Sequence, residues 1–309
     1  MKLHIIVDFM HIYYKYFFQM RENRLKRLSA TMTINNETVE KDTSLIYYPL
    51  RDIEGIRKEL ENIGHDVTMS ICVDSKSARK ESGVSGAEEY KANRVNRLTE
   101  EDLLNISIIQ DLLKKAGHNV YKIDGYEADD IINYLVHKFS NDFDYSVIYT
   151  NDKDILINIC DKVGVMRFKQ KVGYTQVDIN NYETYLEKEF GTFIPYNALG
   201  LFLSSVGDTA DGIKGINKFG KVAFSKLITK VASKYEINWK ICGDYAELEK
   251  VVDKCKEFLT DEQFEELKNS FALVSNMNIT GDLEFPSNKS NVNKRTEAYE
   301  PLMMVSLIA

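Results

Sequence analysis

Nine carboxylates, gathered at a few points of the chain, are the side chains best placed to do chemistry. Asp8 ends the apolar run Ile-Ile-Val-Asp, and Asp74 ends Ile-Cys-Val-Asp. Glu127, Asp129 and Asp130 fall together in Tyr-Glu-Ala-Asp-Asp, Asp152 and Asp154 in Thr-Asn-Asp-Lys-Asp, and Asp208 and Asp211 in Gly-Asp-Thr-Ala-Asp-Gly. An acid between a strand and a helix ordinarily caps the helix or meets its dipole. Capping explains one acid per junction, but not a Glu-x-Asp-Asp group together with an Asp-x-Asp pair. Like charges this close repel unless protons or cations intervene. Oxygen donors without a neighbouring His or Cys favour Mg²⁺, with Mn²⁺ as a substitute, over zinc. A pair of such ions could activate a water and hold the leaving oxygen of a phosphodiester. A structural Ca²⁺ site is the plainer alternative, but the EF-hand loop pattern is absent.

These acids need a scaffold that gathers them. Short apolar runs at 2–7, 66–73, 119–123 and 145–150 read as strands, separated by helical patterns at 9–20, 45–63, 103–115 and 128–139. A short helix is expected at 154–160 and short β segments near 163–177, while 29–43 reads as polar and irregular. Strands alternating with helices define an α/β fold with a mostly parallel central sheet flanked by helices. The C-terminal strand ends of such a sheet share one edge, where these folds place their ligands. From about residue 178 the strands give way to helical patterns at 181–190, 196–205, 219–234, 244–258 and 261–270. The expected division is an α/β core over 1–177 and a helical region over 178–309, without an evident linker.

Composition narrows the function. The chain has 309 residues and a formal charge of −7 at pH 7. Without the nine grouped acids the remainder is slightly basic, so net acidity does not exclude a nucleic-acid substrate. Cys72, Cys160, Cys242 and Cys255 form no CxxC pair and have no His at zinc spacing, which suits a reducing cytosol. The N-terminal apolar run is too short for a signal peptide, and no stretch is long enough to span a membrane. A soluble cytoplasmic protein with no membrane partner is expected. The five scattered His residues give no support for acyl-transfer chemistry.

Residues 76–97 supply Lys76, Arg79, Lys80, Lys91, Arg94 and Arg97 for phosphates and Tyr90 for stacking on a base. In 207–224, Gly207, Gly212, Gly215 and Gly220 permit tight turns beside Lys214, Lys218 and Lys221. Most aromatics of the 9–20 helix read as core, although Tyr13 or Lys15 could touch a DNA end, and Arg21, Arg24, Lys26 and Arg27 form a further basic cluster that could bind duplex or be plain surface. The apolar tail at 301–309 is expected to pack on the helical region.

Together the pieces resemble the flap-endonuclease/5′→3′ exonuclease family, most closely its phage branch, which includes the T4-type phage ribonuclease H. The matching segments occur in family order: Ile-Val-Asp at 6–8, Val-Asp at 73–74, Tyr-Lys-Ala-Asn-Arg at 90–94, Tyr-Glu-Ala-Asp-Asp at 126–130, Thr-Asn-Asp-Lys-Asp at 150–154, and Gly-Asp-Thr-Ala-Asp-Gly-Ile-Lys-Gly-Ile at 207–216. The resemblance implies a PIN-like, resolvase-like 5′ nuclease core with a two-metal site. One ion would be held by Asp8, Asp74, Glu127 and Asp129. The other would be held by Asp129, Asp152, Asp154 and Asp208, with Asp130 and Asp211 directly or through water. Lys91 and Arg94 would meet the scissile phosphate from a helical arch within a basic segment of about 76–115. A helix–hairpin–helix at about 200–224 would hold a duplex phosphate.

The implied activity is Mg²⁺-dependent hydrolysis of phosphodiester bonds by a structure-specific 5′ nuclease in DNA replication or repair. Its substrates would be branched or nicked duplex DNA, or an RNA/DNA hybrid, carrying a 5′ end or flap. A sliding clamp or a single-strand-binding protein would be a partner, and the host cytoplasm the location if the chain is phage-encoded. The alternatives are a PIN-like single-strand ribonuclease and a non-cleaving DNA junction-binding module. The chain departs from the family pattern in four places: Phe9 and Asn151 each replace a frequent Gly, the run Ile-Leu-Ile-Asn at 155–158 stands where Gln is usual, and Asn217 follows Gly215-Ile216 where Gly is usual.

Overall fold

The structure, a computed structural model, describes all residues except 35–36, 94–96, 170, 240–244, 282, 284–288 and 309. The chain forms two compact units. The first comprises Met1–Ser75, Arg97–Asn151 and Ile279–Ala309; the second comprises Lys76–Asn96 and Asp152–Asn278.

In the first unit, strands β1 (Lys2–Asp8), β4 (Asp66–Cys72), β5 (Asn119–Tyr121) and β6 (Tyr145–Tyr149) lie in the order β5-β4-β1-β6, all parallel. Beyond Lys2 every residue of β1 is buried, which is why Leu3, Ile5, Ile6 and Val7 form an apolar stretch interrupted only by His4 rather than an alternation. Around the sheet lie helices α1 (Phe9–Arg21), α2 (Ser44–Asn62), α3 (Glu100–Lys115), α4 (Ala128–Lys138) and α10 (Val292–Tyr299). Helix α1 starts where the Asp8 carboxylate accepts the His11 N–H, and it buries Phe9, Ile12, Tyr13, Tyr16, Phe17 and Met20 at helical spacing.

Two expectations fail here. Residues 29–43 are not irregular: β2 (Ser29–Ile34) and β3 (Glu37–Asp42) pair antiparallel, with Ser29 opposite Asp42. The hairpin is largely exposed and Met32 is its one buried hydrophobic among the described side chains, so no apolar alternation marks it. The tail, moreover, belongs to the first unit and packs on α2, where Leu307 is buried and the hydroxyls of Ser306 and Tyr47 lie 3.0 Å apart.

Just before the tail, α10 carries Tyr299, whose hydroxyl donates to Glu54 Oε1 at 2.7 Å. The same buried carboxylate meets His118 Nε2 at 2.7 Å and accepts from Arg57 Nε at 2.7 Å. A buried carboxylate survives only with such partners. Burial alone would push the Glu54 carboxyl up; His118 and Arg57 outweigh it and hold it at about 2.

In the second unit, β7 (Val163–Lys169) and β8 (Gly173–Val177) form an antiparallel pair. Helices α5 (Tyr182–Phe190), α6 (Leu199–Val206), α7 (Lys221–Tyr235), α8 (Tyr245–Cys255) and α9 (Asp261–Val274) follow. Helix α6 is buried on all sides from Leu199 to Ser205, so Ser204 and Ser205 donate their hydroxyls back to the carbonyls of Gly200 and Leu201. Phe202 meets Phe190 and Phe224 edge to face at 5.2 and 5.1 Å. The class expected from the sequence is thus observed: a mostly parallel sheet flanked by helices, then a helical region.

Candidate metal centre and nucleic-acid interface

Each unit presents its own group of acids. In the first, Asp8 ends β1, opposite Cys72 in register. Its Oδ2 accepts from the Thr150 hydroxyl at 2.7 Å and its Oδ1 from the His11 N–H at 3.3 Å. Asp74 lies two residues beyond β4, and its Oδ1 accepts the Ala128 N–H at the start of α4 at 2.8 Å. Asp129 lies in the first turn of that helix. Glu127 is its N-cap residue, and the fully buried Asp130 accepts the Glu127 N–H at 3.0 Å.

Asp8, Asp74 and Asp129 converge electrostatically. Burial pushes the Cys72 thiol far up, and those three carboxylates push it further. Cys72 therefore lies beneath a concentrated negative field at the C-terminal ends of β1 and β4.

The acids of the second unit are more crowded. Asp152 Oδ1 accepts the Asp154 N–H at 2.9 Å. Asp154 is pushed up to about 8, first by burial and then by Asp152 and Asp211, with Asp208 adding to the effect and Lys153 opposing it. Its Oδ1 is buried without a hydrogen-bond partner among the described residues. Asp208 Oδ1 accepts the Ala210 N–H at 3.0 Å, while Lys153 Nζ comes within 2.6 Å of Oδ2, off the hydrogen-bond line. Asp211 Oδ2 is 3.9 Å from Lys91 Nζ.

Among the described residues no three His, Cys, Asp or Glu side chains close into a ready-made cage for an ion. The donor chemistry still fits a hard divalent cation, because the acids are oxygen donors and an orphaned buried oxygen sits among like charges.

The basic residues divide into buried and exposed. Arg94 lies outside the described residues. Between residues 76 and 93 the backbone forms a 3-10 turn at Ala78–Glu81 and a series of turns; the α-helix begins at Glu100. Tyr90, expected to stack on a base, is instead a core residue with only 5% of its surface exposed, packed with Ala87, Ile213 and Leu273. Arg79 is buried as well, and its Nη2 donates to the Ser275 carbonyl at 3.0 Å, so its guanidinium serves packing before phosphate. Tyr13 is withdrawn from solvent too, with its hydroxyl donating to Asp102 Oδ1 at 3.0 Å; Lys15 is paired with Asp52 at 2.8 Å. Lys80, Lys214, Lys218 and Lys221 are exposed.

The helix–hairpin–helix runs from α6 to α7. Asp208 and Ile213 exchange backbone hydrogen bonds at 2.8 Å each, and the Ile216 N–H donates to the Ser205 carbonyl at 2.8 Å. A Cβ on Gly215 would lie 2.5 Å from the Gly207 nitrogen, so only glycine lets the two arms cross. A concavity lined by Lys214, Gly215, Asn217, Lys218 and Gly220 opens at the turn.

Two residues at these sites escaped the sequence reading. Thr150 locks Asp8, and Lys153 opposes the charge on Asp208. Their signal was position: one precedes the acidic strand-end motif and the other stands between its two Asp residues.

The model for the 5′-3′ exonuclease N-terminal resolvase-like domain matches residues 3–190, and the chain belongs to this family. It is 31% identical to DNA polymerase I of Caldicellulosiruptor bescii over 180 residues, 58% of this chain and 20% of the polymerase. It is 28% identical to the 5′-3′ exonuclease of Buchnera aphidicola subsp. Acyrthosiphon pisum over 196 residues, 63% of either chain. The matches thus span less than two thirds of these relatives. In fold the chain resembles the T5 5′-exonuclease with bound divalent metal ions (zinc), at a TM-score of 0.55 and 15% identity over 100% of this chain and 93% of the other. It also resembles the catalytic core of Rad2 in complex with DNA substrate, at a TM-score of 0.51 and 16% identity over 98% and 88%.

Proposed function

We propose that the chain is a Mg²⁺-dependent, structure-specific 5′ nuclease of the flap-endonuclease type, acting in DNA replication or repair. Within the family it is assigned to the phage branch, near the T4-type ribonuclease H, so RNA/DNA hybrids join branched and nicked DNA as substrates. One observation carries the reading: a buried Asp154 oxygen without a hydrogen-bond partner among the described residues, close to Asp152, Asp208 and Asp211, in a chain of this family. The metal ions bound to the T5 5′-exonuclease and the DNA bound to the Rad2 core agree with it.

Asp8, Asp74, Glu127 and Asp129 would hold one ion. Asp129, Asp152, Asp154 and Asp208 would hold a second, with Asp130 and Asp211 directly or through water. Bound divalent ions supply the charge that makes water a nucleophile at neutral pH and stabilises a departing oxygen. The chain's own residues do the rest. Thr150 fixes the orientation of Asp8, and Lys153 offsets the charge of Asp208 until substrate arrives. Lys91 and Arg94 stabilise the negative charge that builds on the scissile phosphate. Gly215, Lys214, Lys218 and Lys221 hold a phosphate of the duplex at the hairpin, and Lys80 adds a contact along the strand.

In this reading residues 1–177 are the nuclease core, with the arch segment at about 76–115, and the helical residues from 178 onward the DNA-binding region, save 279–309, which belong to the first unit. The protein works in the cytoplasm, where a sliding clamp or single-strand-binding protein would deliver substrate. The test is a digest of 5′-labelled flap, nicked and 3′-flap duplexes with Mg²⁺ or EDTA. Cleavage of the first two only, and only with Mg²⁺, is expected; activity in EDTA or on the 3′ flap alone would overturn the reading.

A further inference from the structure

We propose that the segment carrying Lys91 and the hairpin turn form one mechanical piece, so that a duplex held by the hairpin sets the position of Lys91. The inference rests on the nuclease reading above and adds to it a coupling between duplex recognition and bond cleavage.

Several separate joints make the piece, all within the second unit. The Lys91 N–H donates to the Asp211 carbonyl at 2.8 Å. Tyr90 and Ala87 are buried against Ile213 of the hairpin and Leu273 of α9, with Val84 and Val274 at the margin. Lys214 pairs with Glu89 at 2.8 Å. Gly212 has a φ of +72°, and a Cβ there would lie 2.3 Å from the Glu89 carbonyl oxygen. Glycine alone allows the turn to approach residue 89 this closely.

The joints differ in kind. The Glu89 pair is exposed and screened, so it adds little. The buried cluster and the backbone bond at Asp211 are shielded from water and decide the geometry. Asp211 sits at the junction: its carbonyl holds the Lys91 backbone and its carboxylate faces the Lys91 ammonium at 3.9 Å. Close-packed groups transmit displacement rather than absorb it. A shift of the hairpin on binding therefore carries Lys91 with it, and a misplacement of about 1 Å at a reacting phosphate can cost ~10²-fold in rate. Leu273 and Gly212 are then positioning residues, acting through Tyr90 and Glu89 rather than on the substrate.

The test is amide hydrogen exchange of the full chain in EDTA, with and without a nicked DNA duplex. Protection of the hairpin amides at 207–216, together with at least ~10-fold slower exchange at 89–91, is expected. Leu273→Ala, which hollows out the cluster, should keep the first effect and lose the second. In Mg²⁺ it should also lower the ratio of single-turnover rates on a 5′-flap duplex and on the same strand alone by ~10-fold or more. Hairpin protection without any change at 89–91 would overturn the coupling while leaving the nuclease reading intact. So would equal losses on both substrates. Absence of protection at both places would remove the hairpin as the duplex site, and the coupling with it.

Discussion

Two carboxylates with buried oxygens, one in each unit, have opposite surroundings. Glu54 of the first unit lies among His118, Arg57 and the Tyr299 hydroxyl, and its carboxyl is held at about 2. Asp154 of the second lies among Asp152, Asp211 and Asp208, and its carboxyl is pushed up to about 8. Glu54 is buried and Asp154 is half-buried with a buried Oδ1, so burial opposes charge on both; the sign of the neighbours separates them. The first arrangement is complete as it stands and ties the C-terminal segment to α2. The second gathers like charges that Lys153 only partly opposes, and in the proposed reading divalent ions complete it. The contrast separates a carboxylate that holds the fold together from one that, in the proposed reading, binds an ion.

Four experiments would break or sharpen this contrast. The largest effect is expected from Asp74→Ala or Asp129→Ala, which should lower Mg²⁺-dependent cleavage by ~10³-fold or more while flap binding persists. Full activity in either variant would return these residues to simple capping. Next comes acid. The Glu54 carboxyl is lowered from its ordinary value of 4.5, so its contribution is present above that value and lost as pH falls toward 2. The loss should be on the order of 3 kcal/mol, measured by urea unfolding across that range. Glu54→Gln should flatten that limb; an unchanged acid profile would show that the network contributes little.

Lys91→Ala should slow the single-turnover step by ~10². An unaltered rate would separate the basic segment from the chemistry. The smallest effect belongs to Asp154→Asn. In EDTA, Asn removes the cost of holding an ionisable carboxyl among like charges, which should raise stability by about 1 kcal/mol. The same change should abolish the rise in melting temperature that Mg²⁺ gives the wild type. If Asp154→Asn destabilises the metal-free protein, the crowding is not a cost and the contrast with Glu54 fails.

Much of this was legible in the sequence. Short runs rich in β-branched and aromatic residues between helical patterns read as strands, so β1, β4 and β6 were placed correctly to within a residue or so. The acids were visible because they end those runs. What escaped was anything whose burial is supplied from far along the chain. Tyr90 and Arg79 sit in a polar, lysine-rich stretch, and the residues that cover them, Ile213, Leu273 and Ser275, come from the helical region. The β2–β3 hairpin buries too little to leave a periodic trace. Helix α10 has few apolar residues of its own and is held by Tyr299 reaching Glu54 and by the buried Arg295 donating to the Ile308 carbonyl.

The order of the segments has a consequence for how the molecule is made. The first unit is closed by residues 279–309, after the chain has left it twice to supply the whole of the second. During synthesis the ribosome must therefore finish the second unit before Tyr299 can reach Glu54. A fragment stopping near residue 151 would carry the parallel strands yet lack that closure, leaving Glu54 with His118 and Arg57 alone. Cutting the gene at one point cannot separate the two units; each can be isolated only by rejoining pieces.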